Sequence, residues 1–346
     1  MKLKLIITFI IVFGLVFILK FFFLNDTEKN KIYNIDESTS SPKILITVQS
    51  QKSNKRNIKE LNVNLLKKIN LDDLNILQPY KIYTADSNII YILDFSIPCV
   101  KQLNLKTLKI TVFGKGKGTG PGELLNPTDF AVDKNKNVWI LDGAQNSVLK
   151  FDSKGNYLLS IKPNHLVYRV GINSQNKMYL ISSSSKYLFH QFNENQHIKS
   201  FGEIISEQEK FAILLSGKLS VDSNDNLYFA TNRSYLLFSY KPEGEFRFAI
   251  NTIEGENLIP EPAAMSKDII VLPKKFTNID IINDANNIYL LNRDGVKGKS
   301  FIDIYSSQDG LYKYSYVFPY EIQTFSVLPD KLFLVDNFYL YIFNYQ

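Results

Sequence analysis

The chain of 346 residues has one cysteine, Cys99, and three histidines, His165, His190 and His197. A single thiol excludes an internal disulfide framework and every zinc or iron–sulfur site built from several cysteines. Three imidazoles without metal-ligand spacing leave little for chemistry that depends on them. Charge of one sign is scarce too. The 40 Lys and Arg against 34 Asp and Glu leave +6, with no basic stripe and no recognised module, so nucleic acid is not an expected partner. No long amphipathic helical pattern follows residue 57. Aromatic residues are plentiful instead: 20 Tyr and 25 Phe in a chain that is 45 % apolar and 21 % charged. Aromatic side chains favour strands, and this composition is neither disordered nor collagen-like.

Lys2 and Lys4 precede an almost wholly apolar run that begins at Leu5 and ends at Leu24. As a helix, about 20 residues span about 30 Å, the thickness of a bilayer's hydrocarbon core. Lys20 near its end can snorkel to the headgroups. No small-residue cleavage site follows between residues 21 and 31, so the reading is an uncleaved signal anchor over residues 1–24; a cleaved signal peptide, giving a secreted protein, is the alternative. Positive charge on the short N-terminal side places the rest outside the cytoplasm. Residues 25–57 are polar and rich in Asn, Lys and Ser, which predicts a tether with one short strand at 43–48.

A repeat fills residues 58–346. Six short apolar strands each carry an aromatic, at Tyr91, Trp139, Tyr179, Tyr228, Tyr289 and Phe333. Each is preceded by a polar turn and followed three positions on by a small polar residue: Asp94, Asp142, Ser182, Thr231, Asn292 and Asp336. Flanking strands and Gly- or Pro-bearing turns such as Ser153-Lys154-Gly155-Asn156 make four strands per unit. That spacing is the period of a propeller blade. The sixth unit has three strands by residue 345. Residues 60–69, which alternate in part through Leu61, Val63 and Leu65, are expected to supply the fourth and so remove an open edge.

These units resemble the NHL-repeat six-bladed β-propellers, and in particular the exported bacterial six-bladed β-propeller group. The resemblance rests on Gly118-Thr119-Gly120-Pro121-Gly122-Glu123, then Pro127, Val132-Asp133, and Asn137-Val138-Trp139-Ile140-Leu141-Asp142. It is clear in the second unit, weaker in the first, and degenerate in the others. It implies an all-β propeller over residues 58–346, and a family that includes lyases and lactonase-like members beside plain binding propellers. The lipoprotein cysteine common in similar proteins is missing here, which favours the helix anchor over lipid.

Several motifs invite a sharper reading. The glycine-rich run from Gly114 to Gly122 has neither P-loop nor dinucleotide-binding spacing, so it is expected to be the crossing between two blades. Asp133 to Asn137 and Asp222 to Asn226 open like calcium loops. Their sixth and twelfth places hold Val138 and Ala144, and Leu227 and Arg233, where an EF-hand needs Gly and Glu. Hairpin turns are the reading, with calcium the alternative. The polar residues after each aromatic strand share one end of a closed ring. They either cap turns or line a ligand site at the channel, for which Asp94, Asp142, Asn292 and Asp336 are the candidates.

No catalytic set, metal site or cofactor emerges. The function expected from sequence is therefore a non-catalytic binding or interaction module for protein, peptide or glycan. It would be held by residues 5–24 in the inner membrane with its propeller in the periplasm or extracytoplasmic space. The alternative is a metal-dependent propeller enzyme, a lyase or lactonase-like hydrolase, using hard-metal carboxylates such as Asp94, Asp142 and Asp336.

Overall fold

Each aromatic of the repeat sits on the second strand of a four-stranded antiparallel sheet. The structure, a computed structural model, describes residues 41–255, 257–262, 264–265, 270–274, 276–292 and 298–345. The expected anchor at 1–24 and the first part of the tether lie outside the described residues. No helix among the described residues is long and apolar enough to cross a membrane. Blade 1 comprises Pro79–Asp86, Ile89–Asp94, Cys99–Asn104 and Ile110–Phe113. Blade 2 comprises Pro127–Val132, Val138–Asp142, Ser147–Phe151 and Tyr157–Ile161, and blade 3 Val167–Ile172, Lys177–Ser182, Phe189–Asn193 and Gln196–Phe201. Blade 4 follows as Gly217–Val221, Leu227–Thr231, Leu236–Tyr240 and Phe246–Asn251, and blade 5 as Asn278–Asn283, Asn287–Asn292, Ser300–Ser306 and Tyr312–Phe318.

Blade 6 is built from both ends of the described chain. Thr324–Leu328, Lys331–Val335 and Tyr339–Tyr345 are joined on the outside by Val63–Asn70. That outer strand pairs antiparallel with Tyr339–Tyr345, with one bulge between Leu65 and Lys67. The inner strands succeed one another around a central channel, and the inner strand of blade 2 also meets blade 1. A sheet that is apolar on both faces must be covered on both, so the core is a set of layers between blades. Ile82, Ile92, Phe333 and Val335 fill the layer between blades 6 and 1. Leu93, Phe113, Phe130 and Ile140 fill the next. Between blades 3 and 4 the filling is aromatic, with Phe189 stacked on Phe201 and edge-on to Phe229 and Phe238. A short helical stretch, Gln208–Phe211 continued by Ala212–Leu215, bridges blades 3 and 4. Residues 262–272 belong to a compact unit separate from the propeller, whose described part holds one antiparallel pair, Ala264–Met265 with Ile270–Val271.

The turns that looked like calcium loops are closed on themselves. Asp222 Oδ1 accepts the N–H groups of Asn224 and Asn226, while its Oδ2 accepts Asn226 Nδ2 and the Tyr228 hydroxyl at 2.8 Å. Asp133 makes the same set with Asn135, Asn137 and the Trp139 indole. In blades 2 and 4 the aromatic of the repeat is thus tied to the aspartate six residues before it. The glycine-rich run folds as a crossing between blades 1 and 2, with Lys115 N donating to Gly122 O at 2.8 Å and Leu124 N to Gly116 O at 3.0 Å. Gly114 and Gly116 adopt φ of +120° and +112°, a region that side chains resist.

Residues 41–57, expected as part of a tether, are instead bonded along the rim of the propeller. Leu45 N donates to Ile204 O and Ser206 N to Lys43 O, both at 2.8 Å. Gln49 exchanges two backbone bonds with Ala249 and Asn251 on the outer strand of blade 4, and Asn57 and Lys59 do the same with Ser315 of blade 5. The expected strand at 43–48 is reduced to single bridges at Ile44 and Gln49. Arg56 plunges from this strap into blade 5. Its Nε and Nη2 donate to the two oxygens of Asp303 at 2.8 and 3.0 Å, its Nη1 pairs with Glu254, and its guanidinium lies 4.5 Å from the Phe301 ring centre.

Candidate functional site

Inner strands in four blades begin with a β-bulge, between Pro79 and Lys81, Pro127 and Asp129, Val167 and Arg169, and Asn278 and Asp280. A bulge inserts an unpaired residue and re-aims its neighbours. The first residue past each bulge pairs with the residue just before the polar residue that ends the second strand: Lys81 with Leu93, Asp129 with Leu141, Arg169 with Ile181 and Asp280 with Leu291. Lys218 with Ala230 and Thr324 with Val335 occupy the equivalent places in blades 4 and 6. Six equivalent positions therefore hold Lys, Asp, Arg, Lys, Asp and Thr, forming a ring at the end of the channel where the chain enters each inner strand, here the entry face.

This ring stitches blades together. Lys81 Nζ donates to Asp129 Oδ1 at 2.6 Å, Val170 N to Asp129 Oδ2 at 3.0 Å, and Arg169 Nε to Gly217 O at 2.8 Å. Thr324 Oγ1 donates to Asp280 Oδ2 at 2.6 Å and accepts Ile82 N at 3.2 Å. Asn278 Nδ2 reaches Thr231 O at 2.7 Å, joining blade 5 to blade 4.

Tyr80, the bulged residue of blade 1, crosses the channel. Its hydroxyl accepts from Arg169 Nη2 of blade 3 at 3.2 Å, and Lys218 Nζ of blade 4 lies 4.0 Å from its ring centre. Phe95 stacks on the same ring at 4.1 Å. Burial by itself would push the Tyr80 phenol up, but Arg169 and then Lys218 outweigh it and bring it down to about 8. Lys218 is buried and makes no ion pair among the described residues. A buried cation without a carboxylate is costly, and the Tyr80 hydroxyl is the group that faces Lys218. Three cations against two carboxylates leave the ring one positive charge, and nearby the buried Thr128 Oγ1, Asn232 Oδ1 and Asn278 Oδ1 have no hydrogen-bond partner.

The rim around this mouth is apolar. Leu77, Phe95, Leu166, Tyr187, Phe276 and Phe338 are exposed large apolar side chains on crossovers into inner strands or on turns between second and third strands, all at the entry face. At the opposite face, such turns expose Leu108.

The four residues expected from sequence to be ligand candidates lie at the same end but farther from the channel. Asp142, fully buried, accepts Leu125 N, Asn126 N, Ala144 N, Gln145 N and Gln145 Nε2 at 2.6 to 3.2 Å. Asp94 likewise accepts Leu77 N, Gln78 N and Ser96 N, and lies 3.3 Å from Lys101 Nζ. These contacts, with burial opposing them, set its carboxyl below the usual range. Asn292 Nδ2 donates to Asp303 at 2.6 Å. Asp336 accepts Phe338 N, Tyr339 N and the Tyr341 hydroxyl. No hydrogen bond links any two of the four. The described residues contain no group of three or more His, Cys, Asp or Glu placed to hold a metal ion.

The histidines do meet, on blade 3. His190 and His165 rings are 4.8 Å apart, and His190 and His197 5.9 Å. His190 Nε2 donates to Tyr187 O at 3.1 Å, so its Nδ1 accepts the Ser200 hydroxyl at 2.9 Å, and Ser200 Oγ in turn accepts from His197 Nε2 at 2.9 Å. Burial, followed by the His165 charge, lowers His190 to about 4. Because the unfolded chain takes up this proton near pH 6.5 and the folded one near 4, stability falls as pH drops through that window and is unaffected above it. The expected loss is about 3 kcal/mol, read as the change in denaturant midpoint between pH 7 and pH 4 and removed in His190→Gln.

The chain is similar over 140 residues to a probable peptidyl-alpha-hydroxyglycine alpha-amidating lyase of Caenorhabditis elegans, at 31 % identity. The match takes in 37 % of this chain and 38 % of that protein's length. Among solved structures it superposes on virginiamycin B lyase from Staphylococcus aureus with a TM-score of 0.53 and 11 % identity, over 82 % of this chain and all of that one. An exported protein of Bacteroides fragilis gives a TM-score of 0.52 and 13 % identity, over 87 % of this chain and all of that one. At these identities the likeness is one of fold. A family model described as 6-bladed beta-propeller matches residues 72–258, more than half of the sequence, and with six sheets closed around one channel the chain belongs to the six-bladed β-propeller family.

Proposed function

We propose that this protein is a membrane-tethered, extracytoplasmic binding propeller that takes a peptide or protein segment on its entry face, with a carboxylate seated at the channel mouth. The observation that carries this reading is the pair of buried cations, Arg169 and Lys218, that face Tyr80 without a bound carboxylate on Lys218. An incoming carboxylate would take the place beside Lys218 that the Tyr80 hydroxyl otherwise fills. The apolar rim from Leu77 to Phe338 would cover the ligand's side chains. The apolar run at residues 5–24 supports the membrane anchor, and the Gly118 to Glu123 signature supports kinship with NHL repeats. No cofactor and no nucleic acid enters this reading.

Apolar tripeptides with a free C-terminus, and the same peptides as carboxamides, test it on the full chain. Tyrosinate absorbance without ligand should show one of the 20 tyrosines ionising at about 8, a step missing in Tyr80→Phe. Free-carboxylate peptides should bind saturably and move that step upward, carboxamides should not, and Lys218→Gln should weaken binding about tenfold. A step that no carboxylate peptide moves would overturn the proposal.

The same phenol favours a second reading. A tyrosine ionising near neutrality beside a guanidinium is a candidate general base, and the amidating lyase that matches over 140 residues suggests a lyase reaction on a peptidyl α-hydroxyglycine. Turnover of such a peptide by the full chain, lost in Tyr80→Phe, would favour catalysis over binding alone. The metal-dependent form of this reading would draw on Asp94, Asp142 and Asp336, whose oxygens already accept hydrogen bonds from their own turns.

A further inference from the structure

A cavity of about 530 Å³ opens between blades 4 and 5 at the face opposite the channel mouth described above. Its size is within the range of small-molecule sites, and its wall is more polar than apolar: Asn224, Asn226, Asn286 and Gln308 with the cations Arg247 and Lys313, beside the Tyr228 ring. Its carboxylate, Asp222, is committed to its own turn and to Tyr228.

The cavity lies where blade 4 differs from blades 1 and 3. In blades 1 and 3 the second-strand tyrosine is paired with a glutamine on the third strand, Tyr91 with Gln102 and Tyr179 with Gln191. That glutamine donates to the tyrosine hydroxyl at 2.7 and 3.0 Å. In blade 3 it also reaches Pro242 O of the next blade at 3.3 Å. A neutral amide thus completes the link between blades. In blade 4 the partner of Tyr228 is Ser239, too short to do so. Arg247 comes in from the outer strand instead, donating to Tyr228 OH, Ser239 Oγ and Ser307 O of blade 5, each at 2.9 Å. The serine leaves space and the arginine adds a positive charge that the link itself does not need. Lys313 adds a second at the rim, held by Asn286 O and Asn287 Oδ1. Neither cation makes an ion pair among the described residues.

We propose that this cavity is a saccharide site for an anionic sugar, whose carboxylate or sulfate group sits between Arg247 and Lys313 while its hydroxyls meet the amide side chains. Many donors and acceptors beside one aromatic ring suit a sugar ring rather than a lipid or an apolar peptide. The paired cations select for charge.

Calorimetry on the full chain with a sulfated disaccharide, a uronate-bearing disaccharide, a neutral disaccharide and inorganic sulfate tests the assignment. Saturable binding of at least one anionic disaccharide is expected, weakened about tenfold or more by Lys313→Glu and by Arg247→Gln. Lys313 is exposed, so Lys313→Glu should leave the melting temperature unchanged even if Arg247→Gln lowers it. Lys218→Gln, at the other face, should leave this binding unchanged, which separates the two sites. The sulfated and uronate sugars tell which acid group is preferred. Failure of both to saturate, equal binding of the neutral sugar or of inorganic sulfate, or indifference to Lys313→Glu would each overturn the proposal.

Discussion

Replacing Arg56 by alanine is expected to cost about 3–5 kcal/mol of stability, because it leaves a buried carboxylate without its cation. The Arg56 side chain is 6 % exposed and that of Asp303 is fully buried. Asp303 would keep only Ser315 Oγ at 2.5 Å and Asn292 Nδ2 at 2.6 Å as donors. The strap would lose its one deep attachment to blade 5. In thermal unfolding the transition should fall by roughly 10 °C. The double variant Arg56→Met/Asp303→Asn should recover part of that loss, since neither partner is then a buried lone charge. An Arg56→Ala protein that melts within a degree or two of the parent would mean that the strap contributes nothing to the ring.

Asp142→Ala is expected to be nearly as severe, by a different route. Its two oxygens take four backbone N–H groups and one side-chain amide, tying the crossover at 125–126 to the turn at 144–145. Each buried donor left unmade costs about 1–3 kcal/mol, and even with relaxation the total should reach about 4 kcal/mol. Asp336 is the internal control. It is partly exposed and accepts two backbone N–H groups and one hydroxyl, so Asp336→Ala should cost about 1 kcal/mol. Urea unfolding of the two variants measures the difference. Equal, small losses would mean that the buried carboxylate has a purpose other than stapling the turn.

The contrast between these two aspartates explains how far the sequence could be read. The strand bearing Tyr91, Trp139, Tyr179, Tyr228, Tyr289 and Phe333 was legible because it is almost wholly buried in every blade, and burial constrains residue type at a fixed period. The polar residue after it was legible as a position, but its environment was not, since the fully buried Asp142 and the partly exposed Asp336 read alike. The channel ring escaped for a geometric reason. Four of its six members follow a bulge, so counting from the start of the inner strand puts Tyr80 and Lys81, Thr128 and Asp129 out of register with Lys218. Counting backward across the pairing from Leu93, Leu141, Ile181, Ala230, Leu291 and Val335 would have aligned them. The strap left no pattern at all. Its attachments at Leu45, Gln49 and Lys59 are made by backbone groups, which carry no residue signature, and the side chains that also hold it, Gln51 and Arg56, looked like any polar residues in a polar stretch. The histidines met because residues 190 and 197 lie on neighbouring strands offset by a bulge, a relation that spacing along the chain does not encode.

The strap also sets how the molecule would respond to being pulled. Its bonds come in order along the chain, at residues 43–45, 49–51 and 56–59, and only then does Val63–Asn70 enter blade 6. A tensile load entering at residue 41 would open these contacts one after another, as a zipper opens, instead of straining them together. Arg56 would act as the stop in that sequence, and the force needed to pass it would determine whether the load ever reaches the seam at which the torus is joined.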